Sequence, residues 1–300
     1  MQKSNYIILL FLLALMSCKN DKELKPTLPT EGNTIISVDE SFAPIIEEQA
    51  TAFMNRFPKA KIKINFKAED RCWQDLDDST VDMIITTKML TQKEIDYYKS
   101  INKYEFSRDV LAYDAMVLIV NKASADTIMT EKDVKEMLLG QKFTGKKIVV
   151  DGTSATSTVR YIMDSILRQK EVPKTIKGLK SNEDVIDFVS KTPNAVGFIG
   201  YSWIGNPDNP KHQVALKKVS IVNMQSRRDE KDFVKPNYGN IAKGRYPYYR
   251  NITYILKENV EGVASGLRNW MMYERGQLVF KRAGFFPGKM NFKIRKVNLK

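Results

Sequence analysis

The sequence predicts an α/β protein whose folded part, about 270 residues, is large enough for two lobes. Three observations carry that reading. Short β-branched or apolar runs alternate with helix-period stretches along the chain, the pattern of strands interleaved with helices. The first residues form a leader and a polar segment that stand outside this alternation. One strand-like run, KKIVVDG at 146–152, leads straight into a hydroxyl-crowded helix start.

The elements follow in order. MQKSNYIILLFLLALMSCKN carries Lys3 and a nearly continuous apolar run from Tyr6 to Met16. That run is short for a bilayer, which takes roughly 20 apolar residues, and it has the form of a secretory leader. Leu15-Met16-Ser17-Cys18 resembles the bacterial lipobox. Residues 1–17 are therefore expected to be removed, and Cys18 to carry lipid that anchors the chain at the cell envelope, facing the periplasm. Residues 18–32, polar and broken by Pro26 and Pro29, read as a tether without a core of its own.

TIISV (34–38) reads as a strand, FAPIIEEQATAFMNRF as a helix, and KIKINF (61–66) as a half-buried strand because apolar and polar residues alternate. VDMIITT (81–87) and AMVLIVN (115–121) are apolar strands, the second continuous enough to be covered on both faces. Thr130 with Asp133 forms a capping box for a helix over 130–139, and Gly140 stops it. NEDVIDFVSK is a helix, AVGFIGYSWI a strand and turn, KVSIVNM (218–224) and NITYILK (251–257) strands. GVASGLRNWMMYERGQLVFKRAG (262–284) is expected as one closing helix.

Composition narrows the function. The formal net charge is +13, a field suited to an anionic ligand, an acidic partner or a membrane surface. The basic residues are scattered among 35 acidic ones with no arginine stripe beside aromatics, so nucleic acid is not expected as a partner. With Cys18 lipidated, Cys72 has no disulfide partner, and a single histidine, His212, argues against a zinc site or a histidine-based triad. No metal, cofactor or catalytic residue is expected.

The chemistry concentrates in DGTSATSTVRYIMDSIL (151–167), where five of the six positions from Thr153 to Thr158 carry hydroxyls. A helix start presents unpaired N–H groups and partial positive charge. Hydroxyls add donors, and Arg160 adds a guanidinium fork suited to a tetrahedral oxyanion. One capping hydroxyl would serve an ordinary helix. The Gly-x-x-x-x-Gly-Lys spacing of a nucleotide loop is missing.

Five segments then define a resemblance: ESFAPIIEEQATAFMNRFP (40–58), VDMIITTKMLTQKE (81–94), DAMVLIVNKAS (114–124), NAVGFIGYSWI (194–204) and NWMMYERGQLVFKRAGFFP (269–287). In this order they resemble the periplasmic phosphate-binding proteins of ABC transporters, the PstS-like substrate-binding proteins. The resemblance implies a two-lobe, type II-like periplasmic-binding-protein fold with a ligand cleft between lobes. Its first lobe would be discontinuous, 33–116 with 245–300, and its second 117–244. It implies capture of phosphate or a related oxyanion by a monomer that performs no chemistry and serves an ABC permease.

Carried over residue by residue, the resemblance places ligand contacts at Ser41 and Phe42, at Thr86 and Thr87 followed by Lys88, and at Thr156, Ser157 and Thr158. A register two residues earlier, from Ser154 to Thr156, stays open. Arg160 is a candidate for an arginine that the family carries just before its hydroxyl run. Asp70 and Arg71 fall where the family has a further binding loop. The family's carboxylate after the third strand is absent at Thr87, which puts discrimination of phosphate from sulfate in doubt. The arginines of AKGRYPYYRN (242–251) read as structural or surface residues, and Tyr201 and Trp203 as lobe packing. A second reading keeps the fold but replaces the anion by a protein partner, in a sensory, adhesion or assembly role.

Overall fold

A computed structural model describes residues 28–152 and 156–289. The leader, Cys18 and Ser154 lie outside the described residues. The strands are β1 (Gly32–Asp39), β2 (Ala60–Lys67), β3 (Met83–Thr86), β4 (Ser107–Asn121), β5 (Ile128–Met129), β6 (Lys147–Asp151), β7 (Ile176–Leu179), β8 (Ala195–Gly200), β9 (Val219–Ile221), β10 (Asn223–Ser226), β11 (Asp229–Val234), β12 (Tyr249–Leu256) and β13 (Phe286–Pro287). The helices are α1 (Ala43–Arg56), α2 (Glu69–Gln74), α3 (Gln92–Asn102), α4 (Glu131–Leu138), α5 (Ser157–Tyr161), α6 (Asn182–Lys191), α7 (Pro210–Lys218), α8 (Tyr238–Ala242), α9 (Val263–Met272) and α10 (Glu274–Arg282).

The main sheet runs β2-β1-β3-β12-β4-β8-β6-β7, with β9 and β13 also on β4. β1 pairs in parallel with β2 and β3, and β6 in parallel with β7 and β8. Between these parallel groups lies β4. Its first part, Ser107 to Ala115, pairs antiparallel with β12, and its second, Met116 to Val120, pairs antiparallel with β8. The hydrophobic core divides at the same place. One cluster draws on residues from Ala115 to Tyr248; a second draws on Ile36 to Ala112 and Ile252 to Phe285, with a smaller one beside it around Leu76 and Phe106. The fold is thus a two-lobe α/β architecture with a curled sheet, and the chain passes between lobes along β4 and back at the start of β12.

Local chemistry explains most elements. Thr130 and Asp133 make both bonds of the capping box on α4. β2 is the edge strand, and its alternation holds in the burial pattern from Ala60 to Ile64 but fails at Phe66, which is exposed. Three elements differ from the sequence reading. The closing helix divides at Tyr273, whose extended backbone separates α9 from α10. Gln277 stabilises the break by donating to the carbonyls of Met271 (2.6 Å) and Leu111 (2.9 Å). KVSIVNM divides because the chain leaves one sheet for another: Val222 donates to Leu118 O, and Asn223 to Thr127 O. β4 begins at Ser107 rather than 115, since pairing with β12 extends it through polar residues that interrupt the apolar run.

Candidate functional site

In open α/β sheets ligands lie outside the carboxyl ends of strands, and four such ends converge here. β1 ends at Asp39, β3 at Thr86, β6 at Asp151 and β8 at Gly200. Ser41, in the short turn after β1, is fully buried. Its amide donates to Asp39 Oδ1 (3.0 Å), and its hydroxyl lies 3.3 Å from Asp151 Oδ2 and 3.2 Å from Ser157 Oγ. Its carbonyl accepts from Ser202 Oγ (2.8 Å) and Trp203 Nε1 (2.9 Å). Residue 41 therefore touches the second lobe through both side chain and backbone. Gly200 is required beside it, because a Cβ there would stand 2.9 Å from Arg250 Nη2 and 3.2 Å from Asp114 Oδ2.

The hydroxyl run begins α5. Thr156 is the N-cap: its Oγ1 accepts from Val159 N (3.3 Å) and donates to Asp151 O (2.8 Å). Gly152 makes the turn before it with φ +67, a conformation that L side chains rarely adopt, and a Cβ would lie 2.6 Å from Thr156 Cγ2. Ser157 and Thr158 are fully buried. Thr158 Oγ1 lies near Asp151 but makes no hydrogen bond of good geometry.

The sequence reading missed the arginine at the centre of this group. Arg250, read above among structural or surface arginines, is 5% exposed. Its Nη1 donates to Ser157 Oγ (2.8 Å) and its Nε to Asp114 Oδ2 (3.1 Å). Nη2 lies 3.1 Å from the same oxygen without the alignment of a hydrogen bond. The guanidinium covers the Phe42 ring at 4.8 Å, so Phe42 serves as its platform. Arg250 and Asp114 face each other in the β12–β4 ladder. That cross-strand register was a readable signal, since a charge in each of two apolar strands must be paired.

Arg160 goes elsewhere. Its Nε donates to Glu69 Oε2 (2.6 Å) and its Nη2 to Glu69 Oε1 (3.0 Å) and to Thr87 Oγ1. Thr87 also gives its amide (2.9 Å) and hydroxyl (2.6 Å) to Glu69 Oε1. Thr86 Oγ1 donates to Lys88 O (3.2 Å), and the Lys88 ammonium, on an exposed side chain, stands 4.5 Å from the Trp73 ring centre. Asp70 and Arg71 are exposed on α2 and are not brought to the cluster; the buried member of that turn is Glu69. Tyr201 packs close to Gly205 and Gly284.

Two charges in the cleft lack a cation of their own. Glu69 is matched with Arg160, and Asp114 with Arg250. Asp39 and Asp151 are buried, with Asp39 Oδ2 and Asp151 Oδ1 lacking hydrogen-bond partners. Burial, and then the neighbouring Glu69, raises the Asp39 carboxyl. Burial pushes Asp151 up to about 7 and Asp114 to about 6, the latter despite Arg250. In Glu69 burial is outweighed by the Arg160 and Thr87 bonds, which hold it below the usual carboxylate range. The site thus combines fixed donors with two buried carboxyls whose affinity for a proton is raised, that of Asp151 to near neutrality. Among the described residues no group of His, Cys, Asp and Glu is arranged to hold a metal ion.

The chain belongs to the PBP superfamily, whose domain matches residues 25–274. Among its relatives is the phosphate-binding protein PstS of Borreliella burgdorferi, 22% identical over 298 residues that cover 93% of this chain and 97% of that protein. A Clostridium perfringens protein solved with bound phosphate shares the fold at TM-score 0.68 and 19% identity, covering 86% of this chain and all of that one. An ABC-type phosphate transport receptor from Vibrio cholerae shares it at TM-score 0.61 and 21% identity, covering 85% of this chain and all of that one.

Proposed function

We propose that this protein captures inorganic phosphate in the cleft between its lobes and delivers it to an ABC permease, without altering it. The observation that carries the reading is the meeting of Ser41 from one lobe with Ser157, Thr158 and Asp151 from the other, around the buried Arg250. Hydroxyls and a guanidinium supply donors to a tetrahedral oxyanion. Asp39 and Asp151 supply what a bare anion site lacks, acceptors for the protons phosphate carries. They take the place of the carboxylate missing at Thr87. The similarity to phosphate-binding relatives supports the same ligand.

This reading makes selectivity depend on pH. Below about 7 a neutral Asp151 donates to either phosphate or sulfate. Above it the ionised carboxylate repels sulfate, which carries no proton, and still accepts one from phosphate. Calorimetry on the full chain in detergent, at pH 6 and pH 8, tests this: sulfate heats should fade over that interval while phosphate binding persists. Absence of heat with phosphate, sulfate and molybdate alike would overturn the reading and favour the protein-partner role.

The expected lobe boundaries, 116/117 and 244/245, fall a few residues from where the core clusters divide, between Ala112 and Ala115 and between Tyr248 and Ile252, and the protein acts as a monomer held to the membrane by lipid on Cys18. Cys18→Ser should move the chain from the membrane fraction to the soluble one. No helix among the described residues is long and apolar enough to cross a membrane.

A further inference from the structure

We propose that Glu69, Thr87 and Arg160 form a clasp that holds the two lobes together without an anion, making Arg160 a positioning residue rather than a ligand. The inference rests on the two-lobe arrangement and stands apart from the identity of the ligand.

Its basis is a contrast in saturation. The Glu69 carboxylate accepts from Thr87 N, Thr87 Oγ1, Arg160 Nε and Arg160 Nη2, so both of its oxygens are engaged. Asp39 and Asp151 each keep one buried oxygen without a partner. Groups left wanting a partner are positioned for something that arrives; groups already complete are not. Glu69 and Thr87 belong to the first lobe and Arg160 to the second, and the fork is bidentate, the geometry in which charge-assisted bonds are strongest. The Glu69 side chain is 5% exposed and that of Arg160 35%, so water reaches only the arginine side. The other charge on Arg160 is Asp164 on the same helical stretch, 3.6 Å from Nη1 and itself well exposed. Lys88, beside Thr87, is held over Trp73 rather than over Glu69.

Such a pair favours the closed arrangement whether or not the cleft is filled. A contact equal in the free and bound closed forms adds nothing to their difference. The clasp therefore governs how often the cleft opens, and so the rates of entry and exit, more than the affinity. An arginine that touched the anion would behave in the opposite way.

The experiment uses the full chain in detergent with Glu69→Gln, Arg160→Met and the charge exchange Glu69→Arg with Arg160→Glu. Hydrogen exchange of the ligand-free protein reads the segments 84–90 and 157–163. Stopped-flow tryptophan fluorescence with inorganic phosphate reads entry, and calorimetry reads affinity. A clasp predicts faster exchange in both segments for each single variant, phosphate entry faster by about tenfold, and Kd changed by less than about fivefold. The charge exchange should restore protection, which separates loss of the clasp from loss of folding. Unchanged ligand-free exchange in Glu69→Gln, or a hundredfold loss of affinity in Arg160→Met that Glu69→Gln does not share, overturns the proposal. If the wild type binds no phosphate, the exchange data decide the clasp alone and the phosphate reading fails separately.

Discussion

Two arginines flank the cleft, 90 residues apart in sequence, and they solve opposite problems. Arg160 is half-exposed, and its carboxylate partner is engaged at both oxygens. Arg250 is buried and under-used: one of its nitrogens lacks an aligned partner, as does one oxygen of Asp114. Water reaches the first pair only from the arginine side, and engagement of both Glu69 oxygens makes it independent of any ligand. Burial makes the second costly to disturb, and its spare bonding capacity gives an oxyanion something to gain. A guanidinium beside a hydroxyl run in sequence need not be the one that bonds to it in space.

The comparison can be broken at its strongest point first. Arg250→Met should abolish phosphate binding, by a hundredfold or more, and lower stability by about 3–5 kcal/mol because Asp114 stays buried without its cation. Adding Asp114→Asn should return much of the stability and none of the binding, as calorimetry and denaturant melts would show. Equal binding by the double variant and the wild type would remove Arg250 from the site. Next come the hydroxyls. Ser157→Ala and Thr158→Val should each weaken phosphate binding by about fivefold to tenfold, the worth of one hydrogen bond of about 1 kcal/mol.

Asp151→Asn sharpens the contrast through stability. The ordinary value of this carboxyl is 3.8 and burial carries it to about 7. Between those values the native state keeps a proton the unfolded chain has lost, so stability declines as pH rises and then levels off. Melts at pH 5 and pH 7.5 should show that decline in the wild type and a smaller one in Asp151→Asn. A decline of the same size in both would mean the carboxyl is not held neutral. The smallest effect belongs to Lys88→Ala, which should change stability by less than about 0.5 kcal/mol, since the side chain is exposed.

What the sequence shows and what it hides follow the same division. Elements carried by local chemistry are legible: the capping box on α4, the alternation of edge strand β2 as far as Ile64, and the strand, turn and hydroxyl run that become β6 and α5. The run holding Ser157 and Thr158 stood out because small hydroxyls crowd a helix start, whereas Ser41 came forward only through the family resemblance. Glu69, Asp39 and Asp151 were not legible, because their surroundings are assembled from distant segments, Arg160 against Glu69 and Ser41 against Asp151 among them. Tyr273 hides the break between α9 and α10 for the same reason: the side chain that satisfies the freed carbonyl, Gln277, also reaches Leu111 in a distant strand.

β4 belongs to both halves of the molecule. A single unbroken run of backbone completes the sheet on either side of the molecule, so neither half owns a full set of strands without it. Cutting or displacing that run would strip ladder bonds from both cores at once and bare two sheet edges. Heating should accordingly melt the protein in one concerted step, with no stage at which half of it survives alone.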